Sequence, residues 1–202
     1  MRKQDIGEAS HGRREWIPPW LIVAIVVAGV GLRMWKAWTG HLSPNCDFGI
    51  VVLMAKHMAE GLDFPVFFYG QSFMGSFDTA VCAVLCRMFG FSSFMVSLGT
   101  ALIGALALPL VYLWARDAGS RRAGLMAVLF CMVGSDTNFH YAVSCMAYPS
   151  MMVTGLLSVW LAARIATRAS QGQPVSLRLY FGLGLAAGIG WWSNQLVIVF
   201  LA

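Results

Sequence analysis

The sequence predicts an all-α membrane protein with about five transmembrane helices and two amphipathic surface helices in its first outer loop. Three observations carry this. Hydrophobic residues make up 58% of the chain and charged residues 11%, with a mean hydropathy of +0.69; soluble domains sit near roughly 45–50% and 25%. The charges cluster between apolar stretches about as long as a bilayer is thick. No sustained period-two alternation supports a sheet.

The first helix is expected over residues 16–38, with Trp16 and Trp20 at one interface and Trp35 and Trp38 at the other. Arg2, Lys3, Arg13 and Arg14 precede it, the outline of a secretory signal. No small-residue cleavage site follows, so residues 1–15 read as a cytoplasmic tail and the helix as an uncleaved anchor. Residues 39–92 form the loop. Within it, Ile50, Leu53, Met54 and Met58 recur at helical spacing and Gly61 supplies a stop, which predicts a surface helix over 48–60. An aromatic segment (64–68), a glycine-bounded turn (69–75) and a second amphipathic helix (77–89) follow.

Further helices are expected over 93–115, 123–141, 142–164 and 179–202, making 16–202 one membrane domain. The hairpin at 123–164 is unusual. Only 13 residues precede the polar run Ser135-Asp136-Thr137-Asn138-Phe139-His140, short for a ~30 Å core at ~1.5 Å per residue. Polar backbone at that depth needs protein or water over it. The last helix runs to Ala202 with Trp191-Trp192-Ser193-Asn194-Gln195 in its middle and no flanking charge. The chain is therefore expected to be the N-terminal part of a larger protein.

A cytoplasmic N-terminus puts ten of the 14 basic residues inside, leaving Arg33, Lys36, Lys56 and Arg87 outside. The net charge of +5 thus follows from topology, and nucleic acid is not an expected partner. The five cysteines have no metal-ligand spacing. Four lie in apolar surroundings as small buried hydrophobes, and Cys46 has no loop partner for a disulfide. No cofactor is expected, and the sequence is silent on a divalent-metal requirement.

The 43–90 loop holds Asp47, Glu60, Asp63 and Asp78, four of the nine acidic residues. Asp47, the helix G-I-V-V-L-M-A-K-H-M-A-E-G, the segment F-P-V-F-F-Y-G-Q-S-F-M-G-S-F-D and the M-F-G before the next apolar run resemble the N-terminal region of the lipid-dependent family 39 glycosyltransferases. That group includes the protein O-mannosyltransferases and the aminoarabinose transferases of lipid A. The resemblance covers about 17–202 and implies a partial C-type glycosyltransferase fold in a bacterial inner membrane. It implies sugar transfer from a polyprenyl-phosphate donor to a lipid, glycan or protein acceptor on the extracytoplasmic face, with inversion. Two positions depart from the pattern: Phe48 stands where the family has a second acid, and Ser72, Phe73 and Asp78 replace residues of its Gln-Pro-Tyr-Met-Gly and following Glu.

Asp47 is the candidate general base, since a carboxylate can take the proton of an otherwise poor hydroxyl nucleophile. Helix capping is its alternative role, and capping is the stronger reading for Asp78. Tyr69 and Gln71 are candidates to meet the sugar, against a tight turn as the plain reading. Lys56 and Arg87, with Arg33 and Lys36, are the cations available to the donor phosphate. Asp136 and His140 are candidates to line the substrate cavity, against a polar hairpin turn. His57 reads as an interfacial residue without metal partners. The alternative function is a non-catalytic, truncated or degenerate module that binds lipid-linked sugar or a partner protein. A transporter is a weaker third reading, because no repeated pair of broken helices is visible.

Overall fold

A computed structural model describes residues 18–38, 46–132 and 147–202. The N-terminal tail, Asp136 and His140 lie outside these residues. The fold is all-α, as expected: among the described residues there is no strand, only the isolated antiparallel bridges Phe67–Gly75 and Met74–Asn194.

Helix α1 spans Pro19–Trp38, opening on a proline whose missing N–H costs nothing in a first turn. Helices α2 (Cys46–Glu60) and α3 (Phe77–Phe89) occupy the expected loop positions. Helices α4 (Ser93–Ala105) and α5 (Ala107–Ala118) form one run bent at Leu106. Pro109 explains the bend, since it has no N–H for the Ala105 carbonyl four residues back. Ser92 starts the run by accepting from Met95 N–H at 3.2 Å. Helix α6 spans Arg121–Met132, α7 Tyr148–Ser170 and α8 Leu177–Ser193. A 3₁₀ turn at Gln195–Val197 and the short helix α9, Ile198–Leu201, follow.

Two of these runs, Ser93–Ala118 (26 residues) and Tyr148–Ser170 (23 residues), are long and apolar enough to cross a bilayer; Val23–Trp35 is a shorter apolar helix. The continuous helix expected over 179–202 is not what forms. Asn194 is extended (φ −161°, ψ 125°), and its Oδ1 accepts Leu196 N–H at 2.9 Å, capping the turn that follows. The break is held from outside as well, because Gly75 N–H donates to Ser193 O at 2.9 Å and Trp192 Nε1–H to Val66 O at 3.2 Å.

Two apolar clusters set the packing. Ile25, Leu108, Tyr112 and Val128 join α1, α5 and α6. Val51 and Met54 of α2, Cys82 and Cys86 of α3, Val96 of α4, and Phe68 and Met74 of the intervening loop make the other. The loop is therefore folded onto the ends of α4, α7 and α8. The opposite ends of α5, α7 and α8 carry Arg116, Arg164, Arg168 and Arg178, and there Asp117 meets Arg116 at 2.6 Å and Trp160 Nε1 at 3.0 Å.

Gly75 is the tightest point of the loop docking. An added Cβ would lie 2.6 Å from the Trp192 carbonyl oxygen, a backbone atom that cannot swing aside. Gly75→Ala is expected to cost about 1–3 kcal/mol, as overpacking does. Thermal unfolding of the purified protein in detergent measures this, and an unchanged melting curve would rule out the docked loop.

Candidate functional site

The 61–76 loop is a short hairpin. Phe68 N–H donates to Met74 O at 2.8 Å and Ser76 N–H to Val66 O at 3.2 Å, the pair of bonds that flanks the Phe67–Gly75 bridge. Its tip begins as a type II turn, with Gln71 N–H donating to Phe68 O at 3.0 Å and Gly70 at φ +76°. That position strongly favours glycine. Tyr69 and Gln71 are thus fixed by a tight turn. The Gln71 Oε1 is buried without a hydrogen-bond partner.

Tyr69 does not approach Asp47. Its hydroxyl donates to Asp63 Oδ2 at 2.9 Å and lies 3.1 Å from His57 Nδ1. With the phenolic proton on Asp63, His57 Nδ1 is the donor to the Tyr69 oxygen. Burial first, then the Asp63 carboxylate, push the Tyr69 phenol's pKa up and keep it a donor. No sequence spacing announces this chain, because the turn alone brings residues six and twelve apart together.

Asp47 lies in the first turn of α2 and is half-buried. The unpaired backbone N–H groups of a helix start favour a carboxylate there. Ten residues separate it from His57, roughly 15 Å along the helix axis, so the two occupy different ends of α2. Phe48 packs partly buried against the α2–α3–α4 cluster, where an ionised acid would be costly. Phe48, next to Asp47, therefore serves packing.

Asp78 is 1% exposed. Its Oδ2 accepts from Ser150 N–H of α7 at 3.4 Å, across 72 residues of sequence, and its Oδ1 has no hydrogen-bond partner. Burial pushes the carboxyl up to about 6, against a lowering pull from Ser150. The sequence suggested that this carboxylate would cap its own helix; it engages another helix instead, and it is buried. Periodicity could not reveal a partner so distant in sequence.

Beside Ser150 opens a groove of about 430 Å³ between α1, α3, α4, α7 and α8, lined by Val26, Phe77, Val81, Leu106, Val153 and Ile189 among others. The two hydroxyl residues in its wall are satisfied by their own helix: Ser150 donates to Ala147 O at 3.3 Å and Thr154 to Ser150 O at 2.7 Å. The lining is consequently apolar in character. Arg33 lies seven residues beyond Val26 on α1, on the same helical stripe. It is buried, with Nη1 donating to Gly29 O at 3.0 Å and Nε without a partner.

The other cations differ. Lys56 pairs with Glu60 at 3.9 Å and sits 5.9 Å from the centre of the Phe91 ring. Arg87 lies exposed in the last turn of α3. Among the described residues no group of three or more His, Cys, Asp and Glu could hold a metal ion.

The fold and site together define an all-helical protein with an apolar groove, to whose wall α3 of the folded loop contributes Phe77 and Val81. No protein-family model matches the chain, and neither does any curated protein or solved structure.

Proposed function

We propose that the chain is a multi-pass membrane glycosyltransferase module that takes a sugar from a polyprenyl-phosphate donor to an acceptor on the extracytoplasmic face, with Asp47 as general base. The observation that carries this reading is the apolar groove of about 430 Å³ running beside helices long and apolar enough to cross a bilayer. A lipid-linked donor needs such a trough for its tail. Its phosphate needs a desolvated cation at the outer end, and Arg33 supplies one with an unused donor. The arginines at the far ends of α5, α7 and α8 support a cytoplasmic placement of that face. In this arrangement the acceptor hydroxyl gives its proton to Asp47 as its oxygen bonds to the anomeric carbon, and the donor phosphate leaves with the bonding electrons, its charge held by Arg33.

Arg33→Ala in the full-length protein is expected to raise the KM for the polyprenyl-phosphate sugar about tenfold or more, the range for losing a hydrogen bond to a charged group. Arg33→Lys, which keeps the charge without the fork, is expected to fall between. Steady-state transfer in proteoliposomes measures both. A donor KM unchanged in Arg33→Ala would remove Arg33 from the site.

The burial of Phe48 favours a second reading, a non-catalytic module that holds lipid-linked sugar, because Asp47 then has no acidic neighbour along the helix. Donor binding without any transfer by the purified protein would select this second reading.

A further inference from the structure

We propose that the 61–76 hairpin is an aromatic wedge seated in the lipid headgroup and upper acyl region, so that the loop's contact partner is the bilayer itself. The inference rests on the membrane reading above and goes beyond it, because a sugar-transfer loop could equally stand clear in water.

Leu62, Phe64, Val66, Phe67 and Phe73 are 69%, 66%, 61%, 45% and 49% exposed. Over residues 62–75 the only charged residue is Asp63, and its carboxylate is occupied by Tyr69. Bare apolar side chains on a loose loop could fold away. These cannot, because the hairpin backbone is fixed by the Phe67–Gly75 bridge, by Gly75 to Ser193, and by Phe68 and Met74 buried on α2, α3 and α4. A fixed apolar patch with a single carboxylate marks a contact surface.

What it contacts follows from where it is tied. The hairpin joins the start of α4, the start of α7 and the end of α8, so it lies at one end of the helices that are long and apolar enough to cross a bilayer. Phe77, Phe89, Phe91 and Phe94 continue the exposed band from α3 to α4. The opposite ends of the helices carry Arg116, Arg164, Arg168 and Arg178 together with aromatics such as Trp160, Tyr180 and Phe181. Bilayer proteins carry aromatic residues at both interfaces and an excess of arginine and lysine at the cytoplasmic one, so a rim with exposed aromatics and few cations fits the outer interface. A helix or loop with an apolar face of this kind sinks about 5–10 Å into the headgroup boundary.

The test places an environment-sensitive fluorescent amino acid at Phe73, and separately at Leu106, in the full-length protein reconstituted in nanodiscs. Leu106 is 48% exposed and falls midway along the Ser93–Ala118 run. The wedge predicts blue-shifted emission at both positions, loss of intensity with brominated phospholipid, and protection from aqueous iodide. Quenching of the Phe73 probe by iodide, with Leu106 still quenched by brominated lipid, overturns the wedge and leaves the membrane reading standing. A Phe73 probe silent to both quenchers also overturns it, showing a protein cover. If Leu106 too ignores brominated lipid, the membrane reading itself fails.

Discussion

Asp47→Asn is expected to reduce sugar transfer by about 10²–10⁴-fold, the usual contribution of a positioned general base. The amide keeps the size and hydrogen-bonding reach of the carboxylate but cannot take a proton from the acceptor hydroxyl. Donor binding should be unaffected, because the groove and Arg33 lie on other helices. Stability should change little. Losing a negative charge from the first turn of α2 removes about 0.3–1 kcal/mol of favourable interaction with the helix start. Initial transfer rates at saturating donor in proteoliposomes, beside a melting curve, separate these effects. Wild-type turnover in the variant would dismiss Asp47 as the base, and an unfolded variant would show that its role is capping.

Asp78 is expected to make the packing of α3 on α7 depend on pH. Its carboxyl is pushed up to about 6 in the fold from an ordinary value of 3.8. Below 3.8 the group is protonated in folded and unfolded chains alike, and the stability tied to its neutral form is fully present. As pH rises through about 6 the folded protein must carry a buried, half-unpaired charge, and that stability is lost. The interval from 3.8 to about 6, at about 1.4 kcal/mol per pH unit, amounts to a loss on the order of 3 kcal/mol. Asp78→Asn keeps an acceptor for Ser150 N–H without the charge. It should be the more stable protein at pH 8 by an amount of that order, with the difference vanishing near pH 4. Unfolding in detergent across this range gives the answer. Wild-type stability that is flat from pH 4 to 8, or an Asn variant weaker at pH 8, would mean that the ionised carboxylate has a stabilising partner.

Much of the fold was legible because it is local. The positions of α2 and α3 follow from a 3.6-residue apolar period bounded by glycine, and helix ends at Trp38, Glu60 and Phe89 fall where the sequence reading puts them. Tyr69 and Gln71 as parts of a tight turn were also readable, since Gly70 between them is the residue that a positive φ requires. The length of the last helix was not. Trp191 to Leu201 reads as a continuing helix despite its polar Ser193-Asn194-Gln195, and the bonds from Gly75 and Trp192 across to the break and the hairpin join the Asn194 cap in stopping it at Ser193.

The candidate site divides the same way. Sequence by itself determined the residue types available: an acid at a helix start, cations in and before the loop, an aromatic loop between apolar stretches, and a strongly apolar composition. Tertiary structure decided which of them meet. It buried Asp78 against Ser150, tied Tyr69 to Asp63 and His57 instead of to Asp47, and withdrew Arg33 from water with a donor unspent. The physical reason is range. Periodicity and turn chemistry act over a few residues and are written in neighbouring side chains, whereas desolvation and cross-helix hydrogen bonds depend on groups up to 126 residues apart, as from Val66 to Trp192, whose meeting is set by packing alone.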